Sequence, residues 1–342
     1  NVIAIDTPVL TIILTEKQRV AAIALSGTPG GDGNAVFFDM HDASLRDRSG
    51  NFMFEKFGVV VSEVADTILP SVVSTVLDLT TGIVIISTSE TIDITPSSLV
   101  TLSSFTFESS EVAGNTIQLA SATIEAVDDV AITLLLPEST RVEALINSNT
   151  PGGDGVPLAI EIQANAYRDI AENKNLQDPA AQNTLNELAD IGKPNITGAR
   201  IRYEDGSVYF FFNETIDVRT TSLINLDKIF ISNLTNGATD TSNRISLSTS
   251  SVSSVAFGSR STTVLITLTE PQRAQAIAIS GTSGGDNQAV YIHADDGAFV
   301  DYGGNTNIGV ENLVPEEIPD AVPPIVKSAQ IDYTTGIVII TV

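Results

Sequence analysis

Six aspartates recur in turn-like segments of this 342-residue chain, and they are the residues best suited to binding an ion. Three follow a Gly-Gly pair, and three open a segment of the form Asp-x-x-x-Asn. Carboxylate and amide oxygens are the ligands that Ca²⁺ prefers, so calcium is the one cofactor that the sequence suggests. The first set is Asp32, Asp154 and Asp286, and the second is Asp47, Asp169 and Asp301.

The same aspartates have a simpler interpretation, in which each side chain hydrogen-bonds nearby backbone and fixes a turn. No segment has the Asp-x-Asp-x-Asp-Gly spacing that indicates a calcium loop strongly. We therefore favour the turn-fixing role for any single loop and keep calcium as the alternative. If calcium binds, we expect it at loops or at acidic joints such as residues 316–320 rather than within a folded core.

The histidines and one glycine-rich loop are the remaining candidates for chemistry. A Ser-His-Asp triad needs a histidine, and the chain has two, His41 and His293, which do not recur at the period of the other motifs. The loop at residues 30–33 lacks the lysine and the following helix of a phosphate cradle. We therefore predict that the chain is not an enzyme.

Three Asn-x-Thr sequons fall within one stretch of the chain and predict N-glycosylation of a secreted protein. They begin at Asn195, Asn213 and Asn233. Asn213 takes the place of Ser89 in a related segment at a strand end, so we expect it to be the least accessible of the three.

The charge of the chain excludes one class of partner. Its 42 acidic and 17 basic residues leave a formal net charge of -25, which repels nucleic acid. Such a charge suits salt-rich extracellular surroundings, and no apolar run approaches the roughly 20 residues of a membrane helix. We expect an extracellular or cell-surface location, without membrane insertion. Because cysteine is absent, large apolar cores have to stabilise the fold.

Internal repeats set the architecture. Hairpin-like segments contain Gly82, Gly206 and Gly336, with spacings of 206 − 82 = 124 and 336 − 206 = 130. Glu-Thr-Ile-Asp at residues 90–93 returns at 214–217, again 124 residues later. The Asp-x-x-x-Asn segments recur with offsets of 169 − 47 = 122 and 301 − 169 = 132. Independent markers thus agree on one period.

Prolines that close each repeat place the module boundaries, because proline does not continue a central strand. They are Pro70, Pro194 and Pro323 with Pro324. We predict complete modules at 71–194 and 195–324, the C-terminal part of a module at 1–70, and the N-terminal hairpin of a further module at 325–342. We expect a longer polypeptide to supply the rest of both end modules.

Each module is predicted to be a two-sheet, antiparallel β-sandwich, because about seven short apolar segments alternate with turns. The cores should contain Ile83, Ile85, Val208 and Phe210. One short helical turn, capped by Thr15 in the first copy, crosses between the sheets. It falls at residues 15–23, 137–145 and 269–277, and a further helix is expected at 180–191.

The order of these segments resembles the Ig-like repeats of bacterial S-layer and adhesin proteins and of very large surface proteins of marine protists. The resemblance is carried by a linker ending in Pro-Pro, the hairpin, Ser-Glu-Thr-Ile-Asp, a Leu-Thr-Glu turn and a closing Asp-x-x-Gly-Asn. Residues 169–173 depart from the last motif because they lack its glycine. The resemblance implies all-β, tandem Ig-like modules whose role is spacing, adhesion or filament building, with no reaction.

Our leading hypothesis is a structural repeat segment of a large extracellular protein that forms a cell-surface fibre, sheath or flagellar hair. Its partners would be copies of itself or neighbouring modules in a filament. The alternative is an adhesin-type binding module that recognises a glycan or a protein. In a third hypothesis, the repeats only carry a catalytic domain located elsewhere.

Overall fold

A computed structural model of the chain describes residues 8–26, 36–109, 116–148, 157–235, 244–248, 250–254, 261–281 and 290–342. The chain divides into two units, Asn1–Asp190 and Ile191–Val342. The predicted calcium residues Asp32, Asp154 and Asp286 lie outside the described residues. No helix in the described ranges is long and apolar enough to cross a membrane.

The first unit holds ten strands and two helices among its described residues. Strands β10-β3-β4-β8-β7 form a five-stranded sheet, β6-β5-β9 a three-stranded sheet and β1-β2 a hairpin. The elements are α1 (Glu16–Leu25), β1 (Phe37–Met40), β2 (Lys56–Val60), β3 (Val72–Asp78), β4 (Ile83–Ile92), β5 (Phe105–Ser109), β6 (Thr116–Gln118), β7 (Thr123–Ile124), β8 (Asp129–Leu135), α2 (Glu138–Ile146), β9 (Leu158–Ile162) and β10 (Asn186–Leu188).

The second unit repeats this plan. Strands β15-β16-β12-β11-β19 form a five-stranded sheet, β14-β13-β17-β18 a four-stranded sheet and β20-β21 a hairpin. The elements are β11 (Ile196–Arg202), β12 (Ser207–Phe212), β13 (Ile229–Ser232), β14 (Arg244–Ser246), β15 (Ser251–Ser254), β16 (Thr263–Thr267), α3 (Glu270–Ile279), β17 (Tyr291–Ala294), β18 (Val310–Leu313), β19 (Glu316–Ile318), β20 (Ser328–Asp332) and β21 (Ile337–Thr341).

Apolar side chains from the two larger sheets of the second unit meet in one core. Val208 and Phe210 from one sheet share it with Ile231 and Ile292 from the other, and all four are fully buried. This arrangement confirms the predicted all-β sandwich and the burial of Val208 and Phe210. In the first unit, the same positions of the large and small sheets supply buried Val84 and Phe107.

Strand β4 shows why an apolar run does not guarantee burial. The prediction that Ile83 and Ile85 belong to the core is wrong, because Ile83 is only half-buried and Ile85 is 39% exposed. Successive side chains of a strand point to opposite faces. Val84 and Ile86 therefore face the core, and their β-branched neighbours lie on the outer face of the sheet.

The segment at 180–191 is not a helix, contrary to the prediction. A single 3₁₀ turn at Ala180–Gln182 leads into β10, which pairs in parallel with β3. The second unit has an equivalent parallel pair, β11 with β19. Each large sheet thus combines antiparallel strands with one parallel strand at its edge. That edge strand, β10 or β19, comes last in its repeat and runs in the same direction as the first strand, β3 or β11.

The predicted helical turns are confirmed as helices of nine or ten residues, which end one or two residues beyond the predicted segments. Thr15 caps α1, since the backbone N–H of Gln18 donates to Thr15 Oγ1 and Gln18 Oε1 accepts from the backbone N–H of Thr15. Helix α2 begins after Pro137 instead. The hairpin turns also match the prediction, with φ of +74° at Gly82 and +73° at Gly206.

The two ends of the described chain are exposed. Every residue of β20 and β21 is exposed, and so are Val9 and Ile12 near the other end. The interpretation of residues 1–70 and 325–342 as parts of further modules stays a prediction.

Candidate functional site

The described Asp-x-x-x-Asn aspartates fix turns. In each, the backbone N–H of the asparagine donates to Oδ1 of the aspartate, and the asparagine amide donates to Oδ2. The N–H to Oδ1 distances are 2.8 Å for Asn51 to Asp47, 2.8 Å for Asn173 to Asp169 and 2.7 Å for Asn305 to Asp301. These contacts are those expected of aspartates that fix turns, the simpler of the two interpretations of Asp47, Asp169 and Asp301.

Asp169 additionally lies in a cluster of carboxylates with Asp66 and Glu90. One carboxylate oxygen of each residue lies within 4.8 Å of those of the other two. Glu90 is on β4, Asp169 bridges to Ile92 of the same strand, and Asp66 follows β2. We call Asp66, Glu90 and Asp169 the acidic cluster.

The acidic cluster lies where residues 1–70 meet the module at 71–194, within the first unit. The Asn173 amide donates to the backbone oxygen of Asp66 at 3.2 Å, so the turn that orients Asp169 also holds Asp66. The N–H of Thr91, next to Glu90, donates to Glu16 Oε1 of α1 at 2.9 Å. Helix, strand and turn thus position the cluster from three sides.

Arg19 of α1 is the cation bound to this cluster. Its Nη2 donates to Glu90 Oε2 at 3.0 Å, and its Nη1 binds Asp66. The same guanidinium makes two 2.8 Å contacts with Glu16. One arginine therefore binds three carboxylates, whereas Asp169 accepts hydrogen bonds from the neutral N–H groups of Asn173.

Charge and burial shift the pKa values of this site in opposite directions. Burial raises the pKa of Glu90, and the neighbouring carboxylates Asp169 and Asp66 raise it further, against the effect of Arg19. Burial also raises the pKa of Asp169. The hydrogen bonds from Arg19 lower the pKa of Glu16 to about 2. Ionisation of Glu90 and Asp169 is therefore disfavoured, although Arg19 binds the cluster.

An arginine clamp recurs at the equivalent position of each module. Arg141 of α2 binds Glu138 at 2.7 Å, Asp190 at 2.8 Å and the backbone oxygen of Leu79 at 2.7 Å. In the second unit, the corresponding contacts of Arg273 are with Glu270 at 2.7 Å, Asp320 at 2.7 Å and Tyr203 O at 2.8 Å. Each clamp ties the helix to the first hairpin and to the segment that leaves the module.

Sequence reasoning did not single out the clamp, although its signal is present. Glu-x-x-Arg opens all three helices, at Glu16 with Arg19 and at the two later copies. The partner aspartates recur with offsets of 190 − 66 = 124 and 320 − 190 = 130. Oppositely charged residues that repeat at the same period could therefore have indicated the clamp from the sequence.

The histidines show no catalytic arrangement among the described residues. His41 is exposed and packs edge-on against Phe57, with ring centroids 5.4 Å apart. His293 is buried on β17, where its Nδ1 accepts a hydrogen bond from the backbone N–H of Asn312 at 3.4 Å. Burial lowers the pKa of His293, which keeps the ring neutral at physiological pH.

The sequons differ in accessibility from the prediction. Asn195 and Asn213 are exposed, whereas Asn233 is 9% exposed. The expectation that Asn213 is the least accessible is wrong. Asn233 directly follows β13, which lies between two other strands of its sheet, and the position after such a strand is still covered.

A groove of about 920 Å³ is lined by residues between 14 and 68 and by Ser89 and Glu90 of β4, so it includes two members of the acidic cluster. Leu14, Ile23, Val36 and Phe38 are among the apolar residues that line it. With the offset of 122, their counterparts in residues 71–194 are Leu136, Leu145, Leu158 and Ile160, all of which are buried. The groove therefore has the lining of a module core that is open on one side.

No protein-family model and no curated protein matches the chain.

Proposed function

We propose that this chain is a structural repeat segment of a large extracellular protein, built from tandem Ig-like modules, that forms a cell-surface fibre, sheath or flagellar hair. The observation that carries the proposal is the recurring arginine clamp. Its polar contacts, buried at Arg141 and partly buried at Arg273, connect the helix, the first hairpin and the exit segment of each repeat. Contacts that stabilise the ends of each repeat suit a protein whose role depends on length and stiffness.

The contacts at the acidic cluster support the same proposal. They join residues 1–70 to the module at 71–194 through side chains from both sides of the predicted boundary. A flexible Gly/Ser linker would leave neighbouring modules free to reorient. Here, charged hydrogen bonds link the two pieces, and such bonds are stronger than neutral ones.

The open groove fits a tandem array better than a ligand site. Binding pockets combine apolar walls with a few convergent polar groups and aromatic side chains. The apolar lining residues, with Phe38 as the aromatic one, include four whose counterparts in residues 71–194 are core positions. The polar lining includes Asp66 and Glu90, both of which are already bound to Arg19. The adhesin alternative therefore draws no specific support from this surface.

Immuno-electron microscopy of the native material tests the proposal. An antibody raised against this chain, with a gold label, should decorate filaments at regular intervals. Label confined to non-filamentous material would contradict the fibre. Binding of the purified chain to defined glycans on an array, with no labelled filament, would instead favour the adhesin.

A further inference from the structure

The acidic cluster combines carboxylates that are far apart in sequence. Glu90 and Asp169 are buried, and Asp66 is partly buried, yet one oxygen of each lies within 4.8 Å of the others. Like charges at this separation repel each other, more strongly away from water. A fold that assembles them needs a compensating positive charge or a proton.

One oxygen of the cluster is left unsatisfied. Glu90 is 5% exposed, and its Oε2 accepts from Arg19. Its Oε1 is buried and accepts no hydrogen bond from any residue that the structure describes. Buried polar atoms without a partner are rare in folded proteins because their desolvation is uncompensated. A buried, unsatisfied carboxylate oxygen on a member of an acidic cluster therefore points to a positively charged ligand.

The positive charges near the cluster do not balance its carboxylates, so a cationic ligand can contribute. Arg19 contributes one positive charge against three carboxylates of the cluster, and it also binds Glu16. Arg168, next to Asp169 in the sequence, is engaged by Asp93 at 2.8 Å and Glu172 at 3.5 Å. The nearby arginines are thus already shared among several carboxylates each.

The donor atoms indicate which ligand fits. The cluster offers carboxylate oxygens and no nitrogen or sulfur, a donor set for hard cations such as Ca²⁺ and Mg²⁺. Ca²⁺ accepts six to eight oxygens in irregular geometry, whereas Mg²⁺ demands a near-ideal octahedron. Three carboxylates from three separate segments, with water as the remaining ligands, match the coordination of Ca²⁺ better than that of Mg²⁺.

The same residues recur in the sequence of the next module. Asp190, Glu214 and Asp301 stand at the positions of Asp66, Glu90 and Asp169, with offsets of 190 − 66 = 124, 214 − 90 = 124 and 301 − 169 = 132. These are the offsets of the other module markers. The three acidic residues are thus repeated as a set along the chain.

We propose that Asp66, Glu90 and Asp169 bind a calcium ion at the joint between residues 1–70 and the module at 71–194. The ion is coordinated by Glu90 Oε1 and by oxygens of the two aspartates, and it balances the charge that Arg19 leaves. Occupancy ties the segment after β2 to strand β4 and stiffens the joint. The site is independent of fibre formation, since it can be measured in the isolated chain whatever the parent protein builds.

Calcium titration of the full chain, stripped beforehand with a chelator, tests the site by isothermal titration calorimetry. We expect binding in the range of about 10⁻⁴ to 10⁻³ M, as in other extracellular modules. Glu90→Gln keeps the shape and removes the charge, so this variant should bind one Ca²⁺ fewer per chain. Asp66→Asn, at a less buried position, should lose the same ion, with circular dichroism to show that it folds.

Asp47→Asn is the matched control, because Asp47 makes the same contacts with Asn51 as Asp169 makes with Asn173 but is exposed. It should bind as many ions as the unaltered chain. The proposal is overturned if the unaltered chain binds no Ca²⁺ up to about 10 mM, or if both cluster variants keep the full number of ions. Tighter binding of Mg²⁺ than of Ca²⁺ would overturn the choice of calcium.

Discussion

At the scale of single residues, the arginine clamp shows how burial decides the value of an ion pair. The side chains of Arg141 and Asp190 are 5% and 0% exposed, whereas those of Arg273 and Asp320 are 21% and 25% exposed. Removing one member of a buried pair leaves the other charge in a poorly solvated position. The same motif should therefore contribute differently in its two copies.

We predict that Arg141→Ala lowers the free energy of unfolding of its module by about 3–5 kcal/mol. Arg273→Ala should lower the free energy of unfolding by about 1 kcal/mol or less, since water can solvate the carboxylates that lose their partner. Hydrogen exchange by mass spectrometry can follow the hairpin β3-β4 for the first variant and β11-β12 for the second. Equal loss of protection in both hairpins would contradict the role given to burial.

His293 makes the stability of the second unit depend on pH. Burial lowers its pKa below the ordinary value of 6.5, and the nearby Glu311 and Asp295 oppose this only partly. The folded state therefore binds the proton less readily than the unfolded state. Its contribution to stability is fully present above pH 6.5 and is lost as the pH falls through the lowered pKa.

We predict that His293→Gln flattens the loss of stability between pH 6.5 and the acid range, because glutamine cannot take up this proton. The measurement is the urea midpoint of the unaltered chain minus that of the variant, at a series of pH values. His41→Gln is the matched control, since His41 is exposed and belongs to the first unit rather than to the second. A difference that does not vary with pH would exclude His293 as the titrating group.

At the scale of elements, the hairpins depend on a glycine in the left-handed region. Gly206 has a φ of +73°, and a Cβ there would lie 3.4 Å from Leu268 O. Gly198 lies on β11 of the same hairpin, without a positive φ, and a Cβ there would meet the Phe211 ring at an ordinary 3.5 Å. The two positions therefore differ mainly in backbone conformation.

We predict opposite effects for the same substitution in this hairpin. Gly206→Ala should destabilise the second unit by about 1–2 kcal/mol, because an L side chain disfavours this backbone conformation. Gly198→Ala should be neutral or stabilise by up to about 1 kcal/mol, since alanine restricts the unfolded chain more than glycine does. Denaturant unfolding of the two variants gives both values. A loss at Gly198 as large as that at Gly206 would mean that packing, rather than φ, governs the turn.

At the scale of the whole molecule, the repeat implies what would close the groove on residues 14–68. With the offset of 122, residues 14–68 correspond to residues 136–190, which share their unit with strands β3, β4, β5 and β6 between residues 72 and 118. Large exposed apolar surfaces on soluble proteins usually mark sites that another surface covers. A second copy of 71–122 therefore has the sequence needed to pack there.

We predict that fusing a second copy of residues 71–122 ahead of residue 1 completes a sandwich. Binding of the dye ANS to the chain should fall, and the amides of β1 should gain protection from hydrogen exchange. The control fusion carries Val84→Asp and Ile86→Asp in the added copy, which removes two core side chains. Unchanged dye binding with the unaltered fusion would show that residues 1–70 are not part of such a module.

Features determined by neighbouring residues could be predicted from the sequence. The turns at Gly82 and Gly206, the cap at Thr15 and the aspartate-asparagine turns each depend on residues within a few positions of one another. Their repetition at one period also indicated the all-β modules. Local sterics and short-range hydrogen bonds are written in the sequence directly, so the pattern suffices.

Only the tertiary structure decided which distant residues meet. Asp66, Glu90 and Asp169 come from three segments. Of these three residues, the sequence had indicated only Asp169 as a candidate metal ligand. The outward face of Ile85 and the parallel pairing of β10 were likewise missed. These features depend on the path of the chain between segments, because strand register and the neighbours of an edge strand are fixed by packing of the whole module.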